Sequence, residues 1–292
     1  MTSHALDTES AWKLILLAEN RTGVTLAHPG SEEPALELNS IGEWRLLVPA
    51  TEEASALLSV FLPLCPPLAA GAPLHVIGQL GQSLDGRIAT VTGHSRFING
   101  NDGIVHLHRI RALSDAVVVG AGTAATDNPQ LTVRCTSGEN PVRVVVDRNR
   151  RVPESHHLFT DGAAPTLRLV AGDYTPGMAE GYGERAVIEI PCLGNGIEPV
   201  SPKLILEVLA DLGLKKIFVE GGGMTISSFL EVGLLNRLHV MVAPMIIGSG
   251  RPAFSLPEID FLDDALRPAS RFVNLGTDML FDLDFSISLP AN

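Results

Sequence analysis

Cysteine is scarce in this sequence. The 292 residues include three cysteines, Cys65, Cys135 and Cys192, and no C-x-x-C pair. An odd, scattered set argues against a disulfide framework and against a zinc site, which need cysteines at characteristic spacings. The chain is therefore expected in a reducing compartment, and the cytoplasm is the predicted location.

Positive charge is also in short supply. Lysines and arginines number 21 against 33 aspartates and glutamates, which gives a formal net charge of −12. Affinity for duplex nucleic acid depends on many lysine and arginine contacts to phosphates, so this balance argues against a nucleic-acid-binding protein. A small phosphorylated ligand is compatible with it, because a local arginine cluster can bind phosphate within an acidic surface.

Long apolar runs are missing. The most apolar window, residues 56–70, is interrupted by three prolines and is too short to span a bilayer. The first ten residues, MTSHALDTES, have neither a basic segment nor an apolar core, so no secretory signal is expected. The sequence therefore gives no indication of a membrane partner.

The overall composition is that of a globular enzyme. Hydrophobic residues make up 45% and charged residues 18% of a chain long enough for one large or two modest domains. Residues 1–70 carry no chemistry-bearing motif and are interpreted as an N-terminal extension of unknown role, before a main domain at 71–292. The elements predicted in the extension are a strand or short helix at 12–18, a strand at 43–48, a helix at 51–61 and a linker at 63–73.

Beyond residue 70, apolar β-branched segments alternate with helical patterns. The alternation predicts an α/β domain whose sheet is largely parallel, covered on both faces, with an antiparallel edge at its C-terminal end. Loops are predicted at 173–185 and, as a flexible segment, at 248–251. Strands are predicted at 74–80, 116–119, 141–147, 166–171, 186–190, 215–219, 237–243, 272–275 and 279–287, and helices at 102–113, 201–212 and 222–230.

The stretch at 115–134 contains the first of two glycine turns. A β-branched strand runs into Gly120-Ala121-Gly122-Thr123, where backbone N–H groups can approach an anion closely. Gly120-x-Gly122-x-x-Ala125 also fits a Rossmann fingerprint. Pro129, however, ends any helix after about one turn. The pattern therefore predicts a nucleotide-phosphate turn outside a standard Rossmann unit.

The second glycine turn follows the strand predicted at 215–219. It begins with Glu220 and continues as Gly221-Gly222-Gly223 into a helix, whose first N–H groups suit a phosphate. A carboxylate at the end of a buried strand is costly unless it is paired or used, which favours a functional Glu220. Ligands bind at the carboxyl ends of such strands, so the two turns together indicate a dinucleotide site.

Six motifs occur in an order typical of one family. They are Ser83-Leu84-Asp85-Gly86-Arg87, Arg111-Ala112-Leu113-x-Asp115-Ala116, Gly120-Ala121-Gly122-Thr123, Asp127-Asn128-Pro129-x-Leu131-Thr132-Val133-Arg134, Glu220-Gly221-Gly222 and Ala243-Pro244-x-x-x-Gly248. Over about residues 73–288 the chain resembles the reductase domain of riboflavin biosynthesis, which forms the C-terminal half of bacterial bifunctional deaminase/reductases and also occurs alone.

This resemblance implies a three-layer α/β/α fold of the dihydrofolate-reductase type, with a mixed sheet, a homodimer and NADPH as cofactor. The implied reaction reduces the ribosyl group of 5-amino-6-(5-phosphoribosylamino)uracil to the ribityl chain. The redox chemistry belongs to the cofactor, and the protein's part is mostly positioning.

The resemblance and the two glycine turns also imply a set of site residues. Glu220 and Asp127 are the two candidates for the catalytic proton donor, with water as a third source and no preference between them. The expected cofactor contacts are Gly81, Phe97, Gly120, Gly122, Thr123, Asp127, Arg148, Gly222, Gly223, Met224 and Thr225. The expected substrate contacts are Ser95, Arg111, Leu131, Arg134 and Glu220.

Three of these roles agree with side-chain chemistry. Arg111 and Arg134 are of the bidentate type that suits a ribose 5′-phosphate. Arg148, which follows a strand-ending aspartate, is placed to meet a 2′-phosphate and so favours NADPH over NADH. For Asp127, a purely structural turn before Asn-Pro is as good an interpretation. The histidines at 106, 108, 156 and 157 lack the spacing of a metal site, and none is expected.

The chain departs from the family at several positions. Gln79 stands where a lysine is common, Phe97 replaces a frequent tryptophan, and the sequence has no zinc-deaminase signature. Two other functions stay open on these grounds. One is reduction of a different pyrimidine- or pterin-like imine, and the other is nucleotide binding without catalysis.

Overall fold

The structure, a computed structural model, describes residues 5–69, 72–96, 98–178 and 186–286. Phe97 and parts of the predicted loop at 173–185 and of the last predicted strand lie outside these residues. By its internal contacts the chain divides into two units, Met1–Pro73 and Leu74–Asn292. Within the described residues, no helix combines the length and hydropathy needed to cross a membrane.

The first unit packs two helices with a small antiparallel sheet. Its segment at 12–18 is helical, and the buried ring of Trp12 packs edge-on against Phe61 at 5.5 Å between ring centroids. Side chains cap both helices, with Asp7 accepting from the Ser10 N–H and Thr51 from the Ala54 N–H. The elements are α1 (Thr8–Ala18), β1 (Val24–Ala27), β2 (Pro34–Leu38), β3 (Trp44–Leu46) and α2 (Glu52–Phe61).

The second unit contains the predicted alternation of strands and helices. Its elements are β4 (His75–Ser83), β5 (Arg87–Thr90), α3 (Asn101–Ala112), β6 (Ala116–Gly120), α4 (Ala121–Asp127), β7 (Val142–Val146), α5 (His157–Thr160), β8 (Thr166–Val170), β9 (Val187–Pro191), α6 (Pro202–Asp211), β10 (Lys216–Glu220), α7 (Gly223–Glu231), β11 (Arg237–Ala243), β12 (Gly250–Pro252), β13 (Ala269–Leu275) and β14 (Asp278–Asp284).

The main sheet has nine strands in the order β13-β14-β11-β4-β10-β6-β7-β8-β9. The pairs from β11 to β9 are all parallel, and the β13–β14 hairpin adds an antiparallel edge. Helices α6 and α7 cover one face with an apolar core, while α3 lies on the other face. This arrangement confirms the predicted fold class, a mostly parallel mixed sheet between helical layers.

Helix α4 ends before Asn128, as Pro129 predicts, although it runs for about two turns instead of the predicted one. Its C-cap, Asn128, has a φ of 44° in the left-handed region, and Leu131 has a φ of 54°. Asparagine tolerates that conformation better than most residues, and its side-chain oxygen accepts the His157 N–H at 2.9 Å. The chain therefore leaves α4 after seven residues and enters the segment that leads to β7.

The prediction of a flexible loop at 248–251 is wrong in part. Residues Gly250–Pro252 form β12, which pairs antiparallel with β5 and places Arg251 opposite Ala89. A three-residue strand is too short to show a hydrophobic period, and its partner lies about 160 positions earlier in the chain. Its position matters because β12 forms one wall of the cleft described next.

Candidate active site

A cleft of about 340 Å³ opens at the carboxyl ends of β4, β6 and β10. All of its lining residues belong to the second unit. This is the position at which open α/β sheets bind ligands. Of the residues expected in the site, the cleft is lined by Gly81, Ser95, Gly122, Thr123, Asp127, Glu220 and Gly222.

The two glycine turns meet in this cleft. The Gly222 N–H donates to the Thr123 hydroxyl at 3.2 Å, joining the second turn to the first. A Cβ at Gly120 would lie 2.6 Å from the hydroxyl of Thr225, so a side chain there would push the turns apart. Gly221 has a φ of 113°, which side chains rarely adopt. The glycines therefore allow a close backbone approach that no other residue would permit.

The start of α7 is available to a ligand. Gly222 is its N-cap and supplies no side-chain cap, while Met224 in the first turn is 74% exposed. In the first turn of α4, a Cβ at Gly122 would have no atom within 4 Å. Helix starts with uncapped N–H groups carry partial positive charge and suit phosphate oxygens. The residues present therefore fit the phosphates of a dinucleotide.

Glu220 is held by a bidentate ion pair with Arg111. Its two oxygens accept from Nε and Nη2 of Arg111 at 2.8 and 2.7 Å, and Nη1 donates to the Thr132 carbonyl at 2.8 Å. The Arg111 side chain is 4% exposed and Glu220 is 15% exposed. A carboxylate ending an apolar strand needs such a partner. Arg111 thus bonds Glu220 in place of the phosphate implied by the resemblance, and its contact with substrate stays a prediction.

Arg134 has a more open environment than Arg111. It is exposed, its Nη1 donates to the Thr132 hydroxyl at 2.6 Å, and its backbone N–H donates to His108 Nδ1 at 3.0 Å. Burial lowers the pKa of His108 to about 4, so this imidazole is neutral and can accept. The neighbouring Leu131 is 1% exposed and does not line the cleft. Of the two arginines predicted to bind phosphate, Arg134 therefore has more guanidinium donors available than Arg111.

Asp127 lies on the cleft wall at the end of α4. Loss of solvation raises the pKa of its carboxyl, and the Glu220 carboxylate adds to the rise. The positive charges of Arg96 and Arg251 act in the opposite direction and reduce this shift. The cleft therefore favours the protonated form of the Asp127 carboxyl.

Arg148 lies away from the cleft. Its Nε donates to the Leu193 carbonyl at 3.0 Å, and its Nη1 donates to the carbonyls of Gly196 and Glu198 at 3.2 and 2.5 Å. The side chain fastens the loop that follows β9 and is not among the cleft-lining residues. The three residues that Arg148 contacts are not among the expected cofactor contacts, and its role in binding a 2′-phosphate stays a prediction.

Among the cleft residues outside the expected contacts are three polar side chains, those of Gln79, Asn99 and Arg251. Gln79 on β4 is 6% exposed, and its Oε1 has no hydrogen-bond partner within the described ranges. Asn99 fills the space that a side chain at Gly81 would occupy. Arg251 enters from β12. The sequence marks Gln79 only as a departure from the family, and local patterns give no signal for the other two.

A row of polar side chains crosses the sheet beneath α3. Glu220, Gln79, His239 and Asp282 are successive register neighbours on β10, β4, β11 and β14. His106 of α3 shares a hydrogen bond with His239 at 2.9 Å. Asp282 accepts from the Nε atoms of two arginines at 2.6 Å, those of residues 237 and 271. The cleft is therefore continuous with a buried polar network that reaches the antiparallel edge.

The buried histidines of this network are neutral. Burial lowers the pKa of His106 and of His239, with further lowering from nearby positive charge. For Asp282, burial acts to raise the pKa, but hydrogen bonds from His239 and Arg237 and the positive charge of Arg237 lower it well below its ordinary value. Within the ranges that the structure describes, no three metal-ligating side chains come together.

Comparison with known proteins places the second unit in a family. Residues 74–278 match the model of the RibD C-terminal domain. The chain is 36% identical over 215 residues to the 2,5-diamino-6-ribosylamino-4(3H)-pyrimidinone 5′-phosphate reductase of Methanothermobacter thermautotrophicus, covering 71% of this chain and 96% of that protein. It is 33% identical over 180 residues to the riboflavin biosynthesis protein RibD of Bacillus amyloliquefaciens, covering 60% of this chain and 46% of that one.

A solved structure agrees with these matches. The deaminase/reductase of Thermotoga maritima superposes with a TM-score of 0.58 at 26% identity, covering 80% of this chain and 61% of that protein. The chain thus spans nearly the whole archaeal reductase but about half of the bacterial bifunctional protein. The resemblance carried by the six motifs is confirmed, and the chain belongs to the RibD C-terminal domain family.

Proposed function

We propose that this protein reduces the ribosyl group of 5-amino-6-(5-phosphoribosylamino)uracil to the ribityl chain, with NADPH as the hydride donor. The observation that carries the proposal is the meeting of both glycine turns with Glu220 and Asp127 in one cleft. Family membership supports the reaction, because a relative that this chain covers almost end to end is a reductase of a ribosylaminopyrimidine phosphate.

The cofactor would lie along the turns. Gly122 and the first turn of α7 would hold its phosphates through backbone N–H groups. Gly222 would line the site while its own N–H, bonded to the Thr123 hydroxyl, fixes the two turns together. When bound, NADPH supplies a hydride for C1′ of the open-chain imine form of the substrate.

Side chains of the cleft, together with Arg134 beside it, would orient the substrate and hold its proton. Glu220, fixed by Arg111, would accept a hydrogen bond from a sugar hydroxyl, and the unpaired amide oxygen of Gln79 beside it would accept another. Asp127, whose pKa is raised, would hold the proton for the ring-opened O4′. Arg134 would bind the 5′-phosphate through its exposed guanidinium.

The test is an assay of purified protein with NADPH and the aminouracil ribosyl phosphate, followed by the loss of NADPH absorbance and by identification of the ribityl product. Turnover at a rate typical of enzymes, on the order of 1–10³ s⁻¹, is expected. Protein that is folded and binds NADPH but gives no product would reject this substrate.

The 2,5-diamino pyrimidinone form of the substrate is a second candidate. The archaeal relative, of which this chain covers 96%, is named for that compound. The two substrates differ in one exocyclic group of the ring, so the same assay with both separates them by their kcat/KM values.

We also propose that the reductase activity resides in the second unit and that the enzyme is a homodimer. All cleft residues lie in the second unit, which supports the first point. For the second, β13 ends the main sheet and exposes 62% of the Phe272 side chain. Light scattering of the purified protein measures the assembly directly.

A further inference from the structure

Arg251 is a cleft residue to which the proposed reaction assigns no role. It lies on β12, opposite Ala89 of β5, and both residues line the cleft. The guanidinium lies against Gly93, where a Cβ would stand 2.9 Å from Nη2 and 3.3 Å from Cζ. A side chain at residue 93 would therefore displace it, so the backbone leaves a defined place for this cation.

The guanidinium of Arg251 differs from that of Arg111 in its partners. Arg111 has all three nitrogens bonded to Glu220 and Thr132. No ion pair or hydrogen bond joins the Arg251 side chain to another residue in the part of the chain that the structure describes. The charge of Arg251 acts on the Asp127 carboxylate without a hydrogen bond between the two side chains, so the donors of this guanidinium are available for an anion.

The strand that carries Arg251 is packed on the start of α7. A Cβ at Gly223, the first residue of that helix, would lie 2.9 Å from the Pro252 carbonyl oxygen and closer still to that of Ala253. The two residues after Arg251 therefore touch the turn whose N–H groups suit a phosphate. Arg134, on the segment at 131–134 beside the end of α3, is a separate cation for the phosphate of the substrate.

We propose that Arg251 binds the pyrophosphate bridge of a dinucleotide cofactor, next to the first turn of α7. The proposal rests on the proposed use of NADPH. A planar guanidinium can bond two oxygens of a pyrophosphate at once, which matches its fork of donors. It also gives a chain of net charge −12 a local cation at the point where the cofactor would bring negative charge.

Binding of NADPH and of NADH to Arg251→Gln, Arg251→Lys and the unchanged protein tests the proposal, by fluorescence or calorimetric titration without substrate. Arg251→Gln should raise the Kd of both dinucleotides by about 10- to 100-fold, the range expected for a lost charged hydrogen bond. Both should weaken by the same factor because both carry the pyrophosphate. Arg251→Lys should lie between, and the KM for the pyrimidine substrate at saturating NADPH should not change.

Arg151→Gln is the matched control. Arg151 is exposed on the loop after β7 and does not line the cleft, so this change removes the same charge at another position and should leave both Kd values unaltered. Melting curves check that each variant is folded. Both arginines are exposed, so the substitutions are expected to leave the melting temperature nearly unchanged.

Several results would overturn the assignment. An unchanged Kd in Arg251→Gln would remove Arg251 from the site, and a loss confined to NADPH would assign it to the 2′-phosphate. A change only in the substrate KM would assign it to the 5′-phosphate. Unchanged protein that binds both dinucleotides but turns over no pyrimidine would reject the proposed reaction and leave this assignment standing, whereas failure to bind either would reject both.

Discussion

Arg111 and Arg251 are two arginines near the same cleft that differ in what their side chains bind. Arg111 is buried and fully bonded to Glu220 and the Thr132 carbonyl, so its charge is already used. Arg251 is exposed and directed into the cleft. At the residue scale, function therefore follows from the hydrogen-bond partners of a side chain and not from its type.

Removing Arg111 should destabilise the second unit. Arg111→Met leaves the Glu220 carboxylate nearly buried without a partner, which should lower the free energy of unfolding by about 3 kcal/mol. Urea titration followed by circular dichroism measures this. Arg150→Met, which breaks a half-exposed ion pair with Glu189, is the matched control and should cost at most about 1 kcal/mol. Equal losses in the two variants would contradict a structural role for the Arg111–Glu220 pair.

Replacing Asp127 should change the dependence of kcat on pH. The protonated fraction of Asp127 grows as pH falls, and its raised pKa moves this change to higher pH than for an ordinary aspartate. If Asp127 is the proton donor, kcat of the unchanged enzyme should therefore rise as pH falls. Asp127→Asn should remove that limb and lower kcat by about 10²- to 10⁴-fold. The measurement is kcat across a pH series at saturating substrate and cofactor. The control Asp173→Asn, on an exposed loop, should keep the rise of kcat at low pH. If Asp127→Asn also keeps that rise, the proton donor is water or Glu220.

At the element scale, packing between distant segments decides the shape of the cleft. The start of α7 and the end of β12 touch through Gly223, although nearly thirty residues separate them in the chain. The two glycine turns touch through Thr123 and Thr225 across about a hundred positions. A Cβ would overlap the facing atoms at Gly120 and Gly223, and at Gly222 it would lie 3.1 Å from the Thr123 hydroxyl, which is a tight fit.

A pair of alanine substitutions tests this packing. Gly223→Ala should destabilise the second unit by about 1–3 kcal/mol, because its Cβ would overlap the carbonyls of Pro252 and Ala253 at the end of β12. Gly122→Ala, in a helical position with open space, should instead stabilise it by about 0.5–1 kcal/mol through helix propensity. Thermal unfolding of both variants gives the comparison. Stabilisation by Gly223→Ala would show that β12 can move away from α7 without cost.

Much of this architecture can be predicted from local sequence patterns. The alternation of β-branched runs and helical periods predicts the parallel sheet, and Pro129 predicts the end of α4. The motif at 220–223 predicts its strand, turn and helix because all of its determinants are local. What local patterns miss is set by long-range pairing. The extension of β4 to Ser83 depends on its pairing with β11, and β12 depends on β5.

The candidate site divides in the same way. Glu220 and Asp127 can be identified because motifs mark them, and the structure places both in the cleft. The partner of Glu220, by contrast, comes from α3, more than a hundred residues earlier. The unpaired oxygen of Gln79 and the open guanidinium of Arg251 are also properties of the folded chain. A motif records which residues are present, while their availability to a ligand depends on tertiary contacts.

At the scale of the whole molecule, buried histidines couple stability to pH. His106 and His239 form part of the polar network beneath α3, and their pKa values are lowered by burial. Burial also lowers the pKa values of His75 and His108 from 6.5 to about 4. These imidazoles stay neutral in the folded protein under conditions in which the unfolded chain is already protonated.

The free energy of unfolding should therefore be constant above about pH 7 and fall as the pH drops from 6.5 towards 4, because the unfolded state binds more protons across that window. Each such histidine contributes a slope of up to about 1.4 kcal/mol per pH unit. Urea titrations at a series of pH values measure the curve. His108→Gln, whose amide oxygen can still accept the Arg134 N–H, should make it shallower by one histidine's contribution. The control His94→Gln, at an exposed position, should leave the slope of the free energy of unfolding against pH unchanged. Equal slopes for the two variants would show that His108 does not link folding to protonation.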